Sequence, residues 1–318
     1  MKYIKKSLLT LISALSFLAC NATAEGPSIE APPVVTIFVH GTKPQIHDWF
    51  YKLGEYYFKP GLEHVDNQCK DHGPNDIIAG LKGSGYVDPA HLYFYGWCGK
   101  LSAKERLEAA CTLMKCIEQL IEQYQEKYGC MPKLQIITHS HGGNVGLYLV
   151  HELEKKQSNI IIDELVLLAP PVQSWTKEYI GSAHCKKVYN FYSAGDLIQA
   201  ADPQGIQMHL SNDTVHDKPD FFKLSDRTFD HHDNLTQIRI KINNTNPWHI
   251  TFIDLVYPRE LRTHFPHQFP RFLPELGKIL AEVNKKNVQK QIKLHKKPVM
   301  VKINTRKDND NGRITVYI

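Results

Sequence analysis

The stretch Ile136-Ile137-Thr138-His139-Ser140-His141-Gly142-Gly143-Asn144 constrains the fold of this chain more than any other. An apolar run, Leu134 to Thr138, enters it, and a helical pattern from Asn144 to Leu153 leaves it. Between them a serine is flanked by histidines and followed by two glycines. A buried strand that turns into a helix within three residues needs small side chains at the corner, because strand end and helix start crowd one another there. This local unit belongs in a parallel sheet whose strands alternate with helices.

The rest of the chain repeats that alternation. Val34 to Val39 is a continuous β-branched and aromatic run ending at His40-Gly41-Thr42, apolar on both faces as a buried parallel strand requires. His91 to Trp97 predicts a second strand. Ser102 and Glu105 form a capping-box pair that opens a helix running to Tyr128, closed by Gly129. Its apolar positions Leu107, Ala110, Cys111, Met114, Ile117, Leu120 and Ile121 recur at three and four. Glu164 to Leu168 and Lys187 to Tyr192 predict further strands, the latter ending in Ser193-Ala194-Gly195-Asp196. Thr236 to Ile242 and Thr251 to Tyr257 alternate about Asn243-Asn244-Thr245-Asn246-Pro247, which predicts a hairpin. A last amphipathic helix is expected over Pro270 to Val283. A terminal hairpin is expected from Val299 to Ile303 and Arg313 to Ile318. The expected fold class is α/β: a doubly wound, mostly parallel sheet flanked by helices. Two irregular stretches, Pro44 to Gly85 and Leu197 to Asn234, are lid-like insertions.

Charge sets the domain limits. The chain has 38 Lys or Arg and 33 Asp or Glu, but ten of the basic residues and only two acidic ones lie in Asn284 to Ile318. The remainder is slightly acidic, so nucleic acid is not an expected partner, and the basic feature is a tail suited to an anionic membrane surface. At the other end Lys2, Lys5 and Lys6 precede an apolar run, Leu8 to Ala19, and a small-x-small site at Ala22-Thr23-Ala24. That pattern predicts an export signal over 1–24, a main domain over 25–283 and an extension over 284–318. The mature chain is expected to be secreted or periplasmic. An alternative makes Cys20 a lipidated N-terminus, although Phe17 stands where a lipobox usually has Leu. Six cysteines remain after the signal: Cys69, Cys98, Cys111, Cys116, Cys130 and Cys185. An even number in an oxidising compartment predicts disulfides, with the pairing open. No CxxC pair suggests zinc. Asp226, Asp230, His231, His232 and Asp233 read as a solvated loop rather than a metal site, and neither a metal nor a cofactor is expected.

On the nucleophile stretch, with T-x-S-x-G in place of G-x-S-x-G, the chain resembles the α/β-hydrolase superfamily, particularly lipases and esterases with an H-S-x-G-G elbow. The resemblance spans roughly Val34 to Val283. It implies that Ser140 is a nucleophile served by a histidine and an acid following in chain order. It implies an oxyanion hole made by the backbone N–H of His141 and by the loop His40-Gly41-Thr42, with Thr42 N–H as the second donor. His40 is expected to brace that loop. The acid expected just past a later strand is Asp196, with Asp202 second. The base expected after the final strand is His264, with His267 and His249 as alternatives. His209, His216, His231 and His232 come too early in the chain. The implied reaction is ester hydrolysis through an acyl-enzyme. Trp49, Phe50, Tyr51, Tyr56, Tyr57 and Phe58 are candidates for an acyl pocket or lid, as are Phe221-Phe222, and a lipid or acyl ester is the expected substrate. The same triad also suits a thioesterase or amidase, and a non-catalytic binding protein would need the fold alone.

Overall fold

The computed structural model describes residues 31–42, 58–67, 75–204, 220–242, 244–253, 272–290, 299–305 and 314–317. The expected signal segment, Cys20, Cys69, Trp49 to Tyr57, His209, His216, His264 and His267 lie outside these residues. The chain divides at Pro32/Pro33, and the sheet, its helices and the site all belong to the unit from Pro33 onward.

Among the described residues nine strands form one sheet: β1 (Val34–Val39), β2 (Gly61–His64), β3 (Leu92–Gly96), β4 (Lys133–His139), β5 (Glu164–Leu168), β6 (Val188–Tyr192), β7 (Leu235–Ile242), β8 (Val299–Thr305) and β9 (Ile314–Tyr317). Their order is β2-β3-β1-β4-β5-β6-β7-β8-β9. The run from β3 to β8 is parallel throughout, and only the edge strands β2 and β9 are antiparallel. The helices are α1 (Asn75–Gly83), α2 (Ala103–Tyr128), α3 (Gly142–Lys155), the short α4 (Leu197–Ala200) and α5 (Leu276–Lys290). Side chains alternate across the sheet, so β1 sends Val35, Ile37 and Val39 into a core shared with α2 and α3. Phe38 points the other way, into a second core with Ile77 and Leu81 of α1 and Leu276, Ile279 and Leu280 of α5. Two cores on opposite faces are the signature of a doubly wound sheet.

The local signals for α2 act as expected. Ser102 accepts from the Glu105 N–H at its start, and Gly129, at φ 69°, ends it. Four expectations change. The segment read as irregular over Pro44 to Gly85 contains β2 and α1. The hairpin expected over Thr236 to Tyr257 does not form, because β7 is paired on both sides, with β6 and with β8, and has no free edge. The chain instead enters a 3-10 turn at His249–Ile253, and 254–257 lie outside the described residues. The terminal hairpin does form, but its first strand β8 extends the main sheet in parallel. The last helix starts later than expected, at Leu276 after a 3-10 turn over Leu273–Glu275, where Pro274 sits in a first-turn position that needs no N–H.

The described cysteines Cys98, Cys111, Cys116, Cys130 and Cys185 carry free thiols. Cys111 and Cys116 stand five apart on α2 and so do not share a face. Burial pushes the Cys185 thiol up to about 12. The expected disulfides are therefore not formed among these five. No helix among the described residues is long and apolar enough to cross a membrane.

Candidate active site

β4 delivers its last residue, His139, to the carboxyl edge of the sheet, and α3 begins at Gly142. Ser140 between them has φ 54°, a left-handed conformation that costs a non-glycine residue about 1–2 kcal/mol. Surrounding bonds hold it there. The Ser140 N–H donates to the Leu168 carbonyl at 2.9 Å, and the Gly143 N–H donates to the Ser140 carbonyl at 2.9 Å. A Cβ on Gly142 would stand 2.5 Å from the carbonyl oxygens of both Val39 and His40, so glycine two residues after the serine is a steric requirement. Thr138, two residues before it, is accommodated differently. Its hydroxyl donates to the Val166 carbonyl at 3.3 Å, and its methyl faces the side of Gly146 that a larger residue would fill.

The loop after β1 closes over this corner. A Cβ on Gly41 would come 2.7 Å from the Ser140 Cβ. His40 braces the loop as expected. Its Nδ1–H donates to the Gly41 carbonyl at 2.6 Å, its Nε2 accepts the Trp97 N–H at 3.1 Å, and its carbonyl accepts from the Trp97 indole at 2.8 Å. The ring stacks against Phe58 and Trp97. Thr42 Oγ1 is buried with no hydrogen-bond partner among the described residues.

Asp196 follows β6, where the acid was expected. Its Oδ1 accepts the Gln199 N–H at 2.9 Å, which caps α4, and its carbonyl accepts from Arg227 Nε and Nη2 at 3.2 and 2.9 Å. Its Oδ2 accepts from His249 Nδ1 at 2.7 Å, and both side chains are buried. The histidine on Asp196 is thus His249, the third candidate base after His264 and His267. Those two lie outside the described residues. The sequence places His249 at the start of a hairpin's second arm, whereas it opens a 3-10 turn beside His139. Its ring lies tilted at 49° to that of His139 with centroids 4.7 Å apart, and His139 Nε2–H donates to its carbonyl at 3.2 Å. Burial holds His139 well below the ordinary histidine value of 6.5, so its ring is neutral at neutral pH. No hydrogen bond engages His249 Nε2 among the described residues. No hydrogen bond joins His249 to Ser140 either; such bonds are commonly long until substrate binds.

Asp202, the second candidate acid, is elsewhere. Its Oδ1 is 3.1 Å from His141 Nε2, and its Oδ2 accepts from Gln173 Nε2 at 2.9 Å and Ser225 Oγ at 2.6 Å. Although burial opposes the charge, His141, these hydrogen bonds and Arg106 hold the Asp202 carboxyl well below the usual carboxylate range. Of the early histidines, His232 lines a cavity of about 310 Å³ with Cys185 and Asn234, just ahead of β6 and β7, at the opposite edge of the sheet. His231 is exposed. No cluster among the described residues has the makings of a metal site.

No protein-family model matches the sequence, and no curated protein does. Similar solved structures include phospholipase PlaB from Legionella pneumophila, at 14% identity over 43% of this chain and 25% of that one, with a TM-score of 0.27. They also include carboxyl esterase 2 from the mycorrhizal fungus Tuber melanosporum, at 14% over 66% and 58%, with a TM-score of 0.33. A hyperthermophilic esterase from the archaeon Pyrobaculum calidifontis matches at 12% over 86% and 66%, with a TM-score of 0.31. The chain spans less than two thirds of each. Likenesses this distant carry no argument; the strand order itself shows a doubly wound, mostly parallel α/β sheet, with a left-handed Ser140 between β4 and α3 and Asp196 just after β6.

Proposed function

We propose that the protein is a serine hydrolase acting on carboxylic esters, with Ser140 as nucleophile, His249 as base and Asp196 as the orienting acid. The observation that carries this reading is the buried 2.7 Å pair between His249 and Asp196, set beside a serine held in a left-handed turn. With Nδ1–H committed to the carboxylate, the His249 lone pair is left on Nε2, the nitrogen that must take the serine proton. Ser140 Oγ then bonds to the ester carbonyl carbon while His249 Nε2 receives its proton. The negative oxygen that develops is met by the His141 N–H at the α3 N-terminus and by the Thr42 N–H in the Gly41 loop. Collapse of that intermediate expels the alcohol, which takes the proton from His249. Water repeats the sequence on the acyl-enzyme and releases the acid.

Acyl or lipid esters are the favoured class. Leu197 and Ile198 directly follow the acid, Trp248 directly precedes the base, and Phe222 and Leu224 precede Ser225, a partner of Asp202; all five are exposed. Apolar side chains adjoining the site on several segments suit an apolar substrate. The reading includes export, with cleavage after Ala24 or lipid attachment at Cys20. The mass of the mature N-terminus would tell these apart.

The test is hydrolysis of acyl esters of increasing chain length, beside thioester and amide analogues, by the wild type and Ser140→Ala. Loss of about 10³-fold or more in a folded Ser140→Ala variant is expected. Equal, near-zero rates in both proteins, with no labelling of the wild type by a fluorophosphonate, would overturn the proposal.

A further inference from the structure

We propose that Asp202 is a positioning residue for the oxyanion hole, acting through the ring of His141. This rests on the hydrolase reading above and adds to it a support that the triad does not contain.

His141 is the residue after the nucleophile, and its ring is held at both nitrogens. Asn144 Nδ2 lies 3.3 Å from Nδ1 and also donates to the Pro171 carbonyl at 2.9 Å. Since an amide nitrogen can only donate, Nδ1 is the acceptor and Nε2 carries the proton that goes to Asp202 Oδ1. A ring so committed has no lone pair left for base catalysis. Asn144 is fixed in turn by Thr176 Oγ1, which donates to its Oδ1 at 2.6 Å. Behind Asp202, Gln173 links to Arg106, whose Nη2 donates to Gln173 Oε1 at 3.1 Å. Arg106, Gln173, Asn144 and Thr176 are fully buried, and His141, Asp202 and Ser225 nearly so.

The network draws on α2, the elbow, the loop after β5, the segment after α4 and the segment at Ser225. Burying a carboxylate and a guanidinium costs several kcal/mol that apolar residues of similar volume would not incur. What the arrangement provides is a fixed His141. The peptide N–H of this residue adjoins a strained left-handed serine, and relaxation of that strain would rotate the N–H away from the developing oxyanion. A ring clamped at both ends resists the rotation. The His249–Asp196 pair serves proton transfer; the His141–Asp202 pair holds the electrostatic receptor.

The experiment compares Asp202→Ala, Asp202→Asn and Ser225→Ala with the wild type in the full chain, with rates normalised to sites titrated by a fluorophosphonate. Two quantities are read: the split between kcat and KM for one ester, and the Ki of an alkylboronic acid, whose tetrahedral adduct places an oxygen in the hole. Asp202→Ala is expected to lower kcat about 50-fold while KM stays within about twofold, and to weaken the boronate by a similar factor. Asp202→Asn, whose amide oxygen still accepts from His141, is expected to recover most of the loss, with Ser225→Ala intermediate. If Asp202→Ala fails to fold, the other two variants carry the test. Unchanged kcat per titrated site and unchanged boronate affinity, with only thermal stability reduced, would overturn the inference while leaving the hydrolase reading intact. A wild type that neither hydrolyses esters nor takes the fluorophosphonate would overturn both.

Discussion

Two histidine–aspartate pairs flank Ser140, and they are built for opposite ends. In the first, His249 and Asp196 come from short turns, the acid capping α4 and the histidine opening a 3-10 turn. One ring nitrogen is engaged at 2.7 Å, and none of the described residues engages the other. In the second, His141 is bonded at both nitrogens, and Asp202 is backed by Gln173, Ser225 and Arg106. The contrast teaches that a buried His–Asp pair is not itself a mark of acid–base chemistry. What distinguishes a base is a nitrogen left over.

The sharpest way to break the comparison is to remove the base. His249→Ala is expected to lower kcat/KM by about 10³-fold or more, with His264→Ala and His267→Ala within about threefold of wild type. A large loss at His264 instead would return the base to the later loop. The next largest effect falls on the second pair. Arg106→Met leaves the Asp202 network without its buried cation and should cost about 3 kcal/mol in denaturant unfolding. Arg227→Ala, beside the first pair but bonded to a backbone carbonyl of Asp196, should cost only about 1 kcal/mol.

Acidification acts more gently, on the two buried histidines either side of Ser140. Burial lowers the pKa of both His139 and His141 in the folded chain. The unfolded chain therefore binds more protons just below the ordinary value of 6.5. Stability is full above that pH and falls below it, by up to about 1.4 kcal/mol per pH unit for each histidine. The depressed Asp202 carboxyl contributes stability above its ordinary value of 3.8 and loses it only at more acid pH, so it does not act in this window. Unfolding midpoints from pH 8 to 5, with His139→Asn flattening the profile, check the sign. The smallest effect is Ser225→Ala, which removes one donor from Asp202 and should destabilise by about 1 kcal/mol in the same assay.

How much could be read beforehand follows the range of each interaction. The serine turn was legible because strand, serine, glycine and helix are contiguous, even though the clash a Cβ at Gly142 would make is with Val39 and His40 at the end of β1, far earlier in the chain. Asp196 was legible because a strand end announces it. Its histidine partner was not. Alternation over Thr236 to Ile242 and Thr251 to Tyr257 matches a hairpin, and what removes the hairpin is β8, which arrives from nearly sixty residues later to occupy the open edge of β7. The partners of Asp202 were hidden for a similar reason. An aspartate shortly past Asp196 looks like a spare acid until Gln173, Ser225 and Arg106 are seen to gather around it.

The sequence by itself determined the elements whose causes lie within a few residues: the parallel strands, the capped helix from Ser102 to Gly129, the serine corner and the bracing role of His40. Which histidine meets which aspartate was decided only by the tertiary structure. A hydrogen bond at 2.7 Å between residues 53 apart depends on where whole strands lie, and strand order is set by burying both faces of one sheet, a condition on the entire chain.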